Sequence, residues 1–172
     1  MREILKAKRI LIVDDEPDII ENLEEILNYC FLESAMDFHG AERLLKNRKY
    51  DAVVLDIMGV KGYSLLELAT ERQIPTVMLT AHAFSPENLV KSLKGGARSY
   101  VPKWKIADID FYLDEAIKAR EESEPERASW FERLKPYFDE NFGPDWRKQH
   151  EAFWQEFDEE LRISKEELER TI

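Results

Sequence analysis

The chain has 172 residues, 44% of them apolar, which is enough for one ordinary domain of about 100–150 residues with a real core and a smaller appendage. Its net charge is −11, and residues 121–172 carry −8 of it, the wrong sign for a nucleic-acid backbone; with no recognition-helix pattern or basic stripe beside it, a DNA-binding output is not expected. A single cysteine, Cys30, excludes an internal disulfide and a cysteine-based zinc cluster, no run of some 18 apolar residues offers a membrane span, and the start of the chain lacks the apolar stretch and cleavage site of a signal peptide, so a cytoplasmic location is expected.

Residues 9–13, Arg-Ile-Leu-Ile-Val, read as a buried strand that ends on Asp14 and Asp15. Ile19, Ile20, Leu23, Ile26 and Leu27 then recur at helical spacing over about residues 17–29, and residues 31–36 fit a less apolar edge strand. A second helix follows Gly40, carrying Leu44 and Leu45. Residues 51–56 place four apolar residues between two acids, a short buried strand closing on Asp56. Gly59 and Gly62 mark a tight loop, and a helix over 63–72 buries Leu65, Leu66, Leu68 and Ala69. The fourth strand, from Pro75, ends at Thr80. Ser85-Pro86 caps a helix that carries Leu89, Val90 and Leu93 and stops at Gly95-Gly96. Residues 98–102 form a fifth strand whose Pro102 restricts it to an edge or a strand end, and a fifth helix runs from about Ala107 to Arg120.

Five strands alternating with five helices specify a doubly wound parallel sheet of order 2-1-3-4-5 with right-handed crossovers. Ligands in such sheets bind outside the carboxyl ends of the strands, at the point where the order reverses. Strands one and three are neighbours there, so Asp14, Asp15 and Asp56 converge. Three adjacent carboxylates repel one another and require a proton or a cation, and an all-oxygen set suits Mg2+. Taken alone, the run 14–17 reads more readily as a helix N-terminus, with acids ahead of Pro17; the rest of the chain outweighs that reading.

Four motifs in register resemble a known family: Ile-Leu-Ile-Val-Asp-Asp-Glu-Pro at 10–17, Leu-Asp-Ile-Met at 55–58, Leu-Thr-Ala-His at 79–82 and Gly-Ala-Arg-Ser-Tyr-Val-Pro-Lys at 96–103. Together they look like the receiver domain of bacterial two-component response regulators, over about residues 8–120. The resemblance implies that Asp56 is the phosphoacceptor. It implies that Asp15, Asp56 and the backbone carbonyl of Met58 bind Mg2+, with Asp14 assisting through water. Lys103 would reach one phosphoryl oxygen, and the Thr80 hydroxyl, with the Ala81 amide beside it, another. Thr80 and Tyr100 would act as a switch that repacks the surface of helix four, strand five and helix five. Implied partners are a sensor histidine kinase or phosphotransfer protein, and a homodimer through that surface or through the C-terminal helices.

Two positions depart from the family. The loop after Asp56 reaches its glycine at the sixth residue, Gly62, rather than the eighth, and lacks the proline. Lys103 is followed by Trp104 where the family has a cis proline; a cis bond before a non-proline costs about 3 kcal/mol, so a trans bond is expected. Two other readings compete. The first is a receiver-like scaffold that is never phosphorylated. The second is a Mg2+-dependent phosphatase with Asp56 as nucleophile, disfavoured because such enzymes place an acid where Met58 stands. Otherwise the chain is expected to be no enzyme beyond assisting its own phosphorylation and dephosphorylation.

Beyond about residue 120 the sequence reads as a separate acidic extension, 121–172, opening with a linker at 121–126. Trp130, Phe131, Leu134, Tyr137 and Phe138 give an amphipathic helix, residues 141–145 a turn, and Trp146 to Leu161 a second helix. Ser164 with the acids after it resembles a capping box that would start a third. So much aromatic surface on short helices must dock on the first domain, a second copy or a partner. His150 invites a phosphotransfer role, but modules of that kind are much longer bundles, and a packed histidine is the expectation.

Overall fold

The computed structural model describes residues 2–121 and 129–170, the last eight of them by backbone alone. Five strands, β1 (Arg9–Val13), β2 (Phe31–Ala35), β3 (Ala52–Asp56), β4 (Thr76–Thr80) and β5 (Ser99–Pro102), form one parallel sheet of order β2-β1-β3-β4-β5. Five helices connect and flank them: α1 (Pro17–Ile26), α2 (Phe38–Asn47), α3 (Gly62–Glu71), α4 (Pro86–Lys94) and α5 (Ile109–Glu121). The doubly wound architecture with a C-terminal helical extension is borne out. β3 and β4 are buried along their whole length, which is why they read as unbroken apolar runs rather than alternating ones. Edge strand β2 keeps exposed positions and reads as the more polar strand it is.

Local chemistry sets most helix starts. Asp37 accepts the Gly40 amide at 2.7 Å and starts α2 two residues before that glycine, which lies inside the helix rather than ahead of it. Ser85 accepts the Asn88 amide at 3.1 Å, with Pro86 in the first turn of α4. The stretch read as the start of the fifth helix is instead a 3-10 segment, Lys103–Asp108, before α5 proper. Cys30 is a packed thiol: burial pushes its pKa up to about 11, and its Sγ donates to the Leu5 carbonyl.

The extension folds back on the sheet as α6 (Ser129–Phe142) and α7 (Glu151–Arg170). Of the three docking possibilities the structure shows the first. Trp130, Phe131, Leu134 and Phe138 are all buried, and α6 packs on β5, so an edge strand lies fully covered. Phe138 meets Phe84 and Tyr100 with ring centroids 5.8 and 6.2 Å apart. Arg133 stacks on Phe111 at 4.4 Å, Lys105 lies over Tyr137 at 4.1 Å, and the Trp130 amide donates to Glu115 at 3.2 Å.

Two expectations for this region are corrected. Trp146 precedes α7 in a turn, where its indole N–H donates to Asp139 at 2.8 Å. Ser164 starts no third helix, because α7 runs through it without a break. A cap contributes about 1 kcal/mol and cannot interrupt a helix already propagating among good formers. Of the linker read at 121–126, Glu121 closes α5 and the rest lies outside the described residues. Among the described residues no helix is long and apolar enough to cross a membrane. His150 sits half-buried in a 3-10 turn, Lys148–His150.

Candidate functional site: an acidic pocket at the switch point

The register Val13↔Leu55 aligns the carboxyl ends of β1 and β3. Asp14 and Asp15 follow the first and Asp56 closes the second. One oxygen from each of the three lies within 4.8 Å of the others, with Asp14 and Asp56 buried and Asp15 facing outward. The helix-capping reading of residues 14–17 is partly right and compatible with this cluster. Asp14 Oδ1 accepts the Glu16 amide at 2.9 Å at the start of α1, which leaves Oδ2 for the pocket.

Lys103, at the end of β5, fills the fourth side. Its Nζ is 3.0 Å from Asp14 Oδ2, 3.5 Å from Asp56 Oδ1 and 3.4 Å from Glu16 Oε2. Among the described residues no peptide bond is cis, so Lys103–Trp104 is trans, and the lysine still reaches the pocket. Trp104 itself points outward, 51% exposed, with its ring edge-on to Phe84 at 4.8 Å. Glu16 is a member that sequence reasoning missed; its place next to the Asp-Asp pair was the only available signal.

The charges do not cancel. Asp14, Asp15 and Asp56 against Lys103 leave two negative charges, with Glu16 adding a third at the rim, around a pocket in which Asp14, Asp56 and Lys103 are buried. Burial raises the Asp56 pKa, the Asp14 charge raises it further, and Lys103 only partly opposes them, so Asp56 reaches about 7. Burial likewise raises Asp14, against its Glu16 amide and Lys103 contacts. For Lys103, burial alone would lower the pKa, but its three carboxylate neighbours outweigh that and keep the ammonium charged. A divalent cation would supply the missing charge, and an all-oxygen donor set that close together fits Mg2+.

The loop after Asp56 is built around close approaches. Gly59 has φ +85°, and a Cβ there would collide with the Asp15 carboxylate. Gly59→Ala is therefore expected to displace Asp15 and weaken Mg2+ binding about tenfold, measured by titration calorimetry on the apo chain, with helix content unchanged. Lys61 takes a left-handed conformation, φ 53°, so that α3 can begin at Gly62. Met58 lies in this loop with its side chain 55% exposed.

Thr80 and Tyr100 meet at the loop between β4 and α4. Thr80 Oγ1 accepts the Ala83 amide at 3.2 Å. The Tyr100 hydroxyl donates to the Ala83 carbonyl at 2.6 Å and accepts the Ser85 amide at 3.0 Å. Tyr100 is fully buried, and burial raises its phenol pKa. Ala81 follows Thr80 on the exposed side. Phe84, which stacks on Tyr100 at 5.8 Å, was not singled out from the sequence.

A doubly wound sheet with an acidic, cation-fitting pocket at its switch point defines an α/β domain of the flavodoxin-like class. Residues 10–110 match the model of the response regulator receiver domain, and the chain belongs to that family. The transcriptional regulatory protein PrrA of Mycobacterium tuberculosis is 36% identical over 105 residues, 56% of this chain and 44% of PrrA. The two-component response regulator ARR18 of Arabidopsis thaliana is 32% identical over 101 residues, 55% of this chain and 16% of ARR18. The chain thus spans less than half the length of either. Among solved structures, a CheY-like receiver domain protein of Methanospirillum hungatei JF-1 superposes with TM-score 0.56 at 32% identity, over 64% of this chain and 97% of the other. The receiver domain of the Francisella response regulator 1452 gives 0.59 at 26% identity, over 66% and 99%.

Proposed function

We propose that this chain is a response regulator, with a receiver domain at 1–120 and an acidic extension at 121–172, that accepts a phosphoryl group on Asp56 from a sensor histidine kinase or phosphotransfer protein and signals by protein–protein contact. The observation that carries this reading is the pocket of three carboxylates and one buried lysine, short by two positive charges. An Asp56 carboxylate oxygen attacks phosphorus, forming a P–O bond. The P–N bond to the donor imidazole breaks, and its electron pair returns to the ring. Asp15, Asp56 and the Met58 carbonyl, with Asp14 assisting, would hold Mg2+, which would supply charge neutralisation for the transferring oxygens.

Lys103, already poised between Asp14 and Asp56, takes one phosphoryl oxygen as a point charge. The Thr80 hydroxyl donates to another, with the Ala81 amide beside it. Hydrolysis reverses the gain, water replacing the aspartyl oxygen on phosphorus. The chain acts on itself and on no separate substrate, and it works in the cytoplasm. A homodimer through the α4–β5–α5 face requires α6 to vacate it; one through the outer face of α6 and α7 does not. The acidic extension supports a protein output rather than nucleic acid.

The test is intact mass after incubation with acetyl phosphate and Mg2+. A gain of one phosphoryl group is expected in the wild type and none in Asp56→Asn. No gain in a wild type shown separately to bind Mg2+ would favour the unphosphorylated scaffold.

A further inference from the structure

We propose that the seam between the sheet domain and the C-terminal helices binds a small neutral aromatic molecule, one ring in size, that carries a single hydroxyl or N–H group. The inference is independent of the phosphoacceptor reading and gives the extension a ligand of its own.

The seam encloses a cavity of about 130 Å3. Its two walls are unlike. On one side the turn after α4, the start of β5 and α5 present small side chains, among them Ala97, Ser99 and Ala116. On the other side α6 and α7 present the rings of Trp130, Phe153 and Phe157. Protein interiors leave few voids larger than a water molecule, so a gap of this size at the foot of packed helices is unusual. An apolar cavity of about 150 Å3 stays dry and takes up benzene, which makes one ring the occupant of matching size. The facing rings favour an aromatic occupant over an aliphatic one, through offset and edge-on contacts.

Polar chemistry in the wall narrows the class further. Ser99 and Tyr112 line the cavity at 2% and 0% exposure, and neither hydroxyl has a hydrogen-bond partner. Buried hydroxyls left unpaired are costly, and a ligand hydroxyl or N–H would relieve that cost. The charged residues at the cavity are Arg98, Glu115 and Glu160, two acids against one base, and they are half-buried or exposed. That balance disfavours a carboxylate, and the hydrocarbon wall disfavours any buried charge. A ligand seated here touches both parts of the chain at once. By mass action it would hold the extension on the sheet domain.

The experiment is a heteronuclear NMR titration of the full chain with phenol, benzene and benzoate. Phenol is expected to saturate with a dissociation constant on the order of 0.1–1 mM, moving the Ser99 and Ala116 amides and the Trp130 indole N–H. Benzene should bind about fivefold more weakly, for want of the hydrogen bond, and benzoate about tenfold more weakly. Ala116→Leu fills the cavity from α5 and should weaken phenol about tenfold or more. A larger residue in a packed seam can unsettle the fold, so Ser99→Ala and Tyr112→Phe are titrated beside it. Each removes one hydroxyl, and at least one of them should lower phenol to the affinity of benzene while leaving benzene unchanged. Absence of a saturable phenol shift at these residues overturns the site. Undiminished affinity in a folded Ala116→Leu does the same, because it places the ring elsewhere. Phenol and benzene binding alike in the wild type, or a phenol preference that survives both hydroxyl deletions, overturns the polar contact and the ligand class with it.

Discussion

In metal-free buffer at pH 8, Asp56→Asn is expected to be more stable than wild type by about 2–4 kcal/mol, an advantage that vanishes near pH 4. The folded chain raises the Asp56 pKa from an ordinary carboxylate value to about 7, through burial first and the Asp14 charge second. Between the two values the folded state binds a proton that the unfolded state has lost. Stability is therefore full below the unfolded pKa and falls as pH rises through 7. Asp14, also raised, contributes in the same direction. Asparagine keeps the shape and removes the charge, so the variant's profile should be flatter. Mg2+ should restore stability to the wild type at pH 8 and do much less for the variant. Urea unfolding at pH 5 and pH 8, with and without Mg2+, measures this. Parallel profiles for the two proteins would place the electrostatic strain elsewhere.

Gly62→Ala is expected to cost about 3 kcal/mol in urea unfolding and to slow phosphoryl uptake from acetyl phosphate well below wild type. A Cβ at this position would overlap the Asp56 carbonyl oxygen and come within 2.7 Å of the Ile57 Cα. Both are backbone, so no side-chain rotation relieves the clash. The first turn of α3 would have to lift from the end of β3, and Asp56 would move with it. Gly59→Ala differs because its clash is with the movable Asp15 side chain; its stability cost comes from the φ of +85°, about 1 kcal/mol, and its main effect should be on the metal site. If Gly62→Ala unfolds like wild type, the six-residue spacing from Asp56 to glycine has no steric cause.

Much of this could be read in advance for a local reason. β3 and β4 are covered on both faces, so their positions must be apolar in an unbroken run. The three aspartates stand at strand ends that the switch-point rule brings together, and the distance between their oxygens bears that out. Glu16 was missed because its side chain reaches the pocket only through Lys103, a residue 87 positions later in the chain. Ser164 was misread because a capping pattern looks the same inside a continuing helix as at its start.

The sequence by itself determined the sheet order, the carboxylates at its switch point, and an extension too aromatic to stand alone. Each follows from short-range periodicity or from a chain-topology rule. Only the tertiary structure decided where that aromatic surface goes. Trp130, Phe131 and Phe138 would bury equally well against any apolar face, since the hydrophobic effect has no direction. The seating of Phe138 on Phe84 and Tyr100 is a matter of shape between residues 54 and 38 positions apart, and no local pattern encodes it.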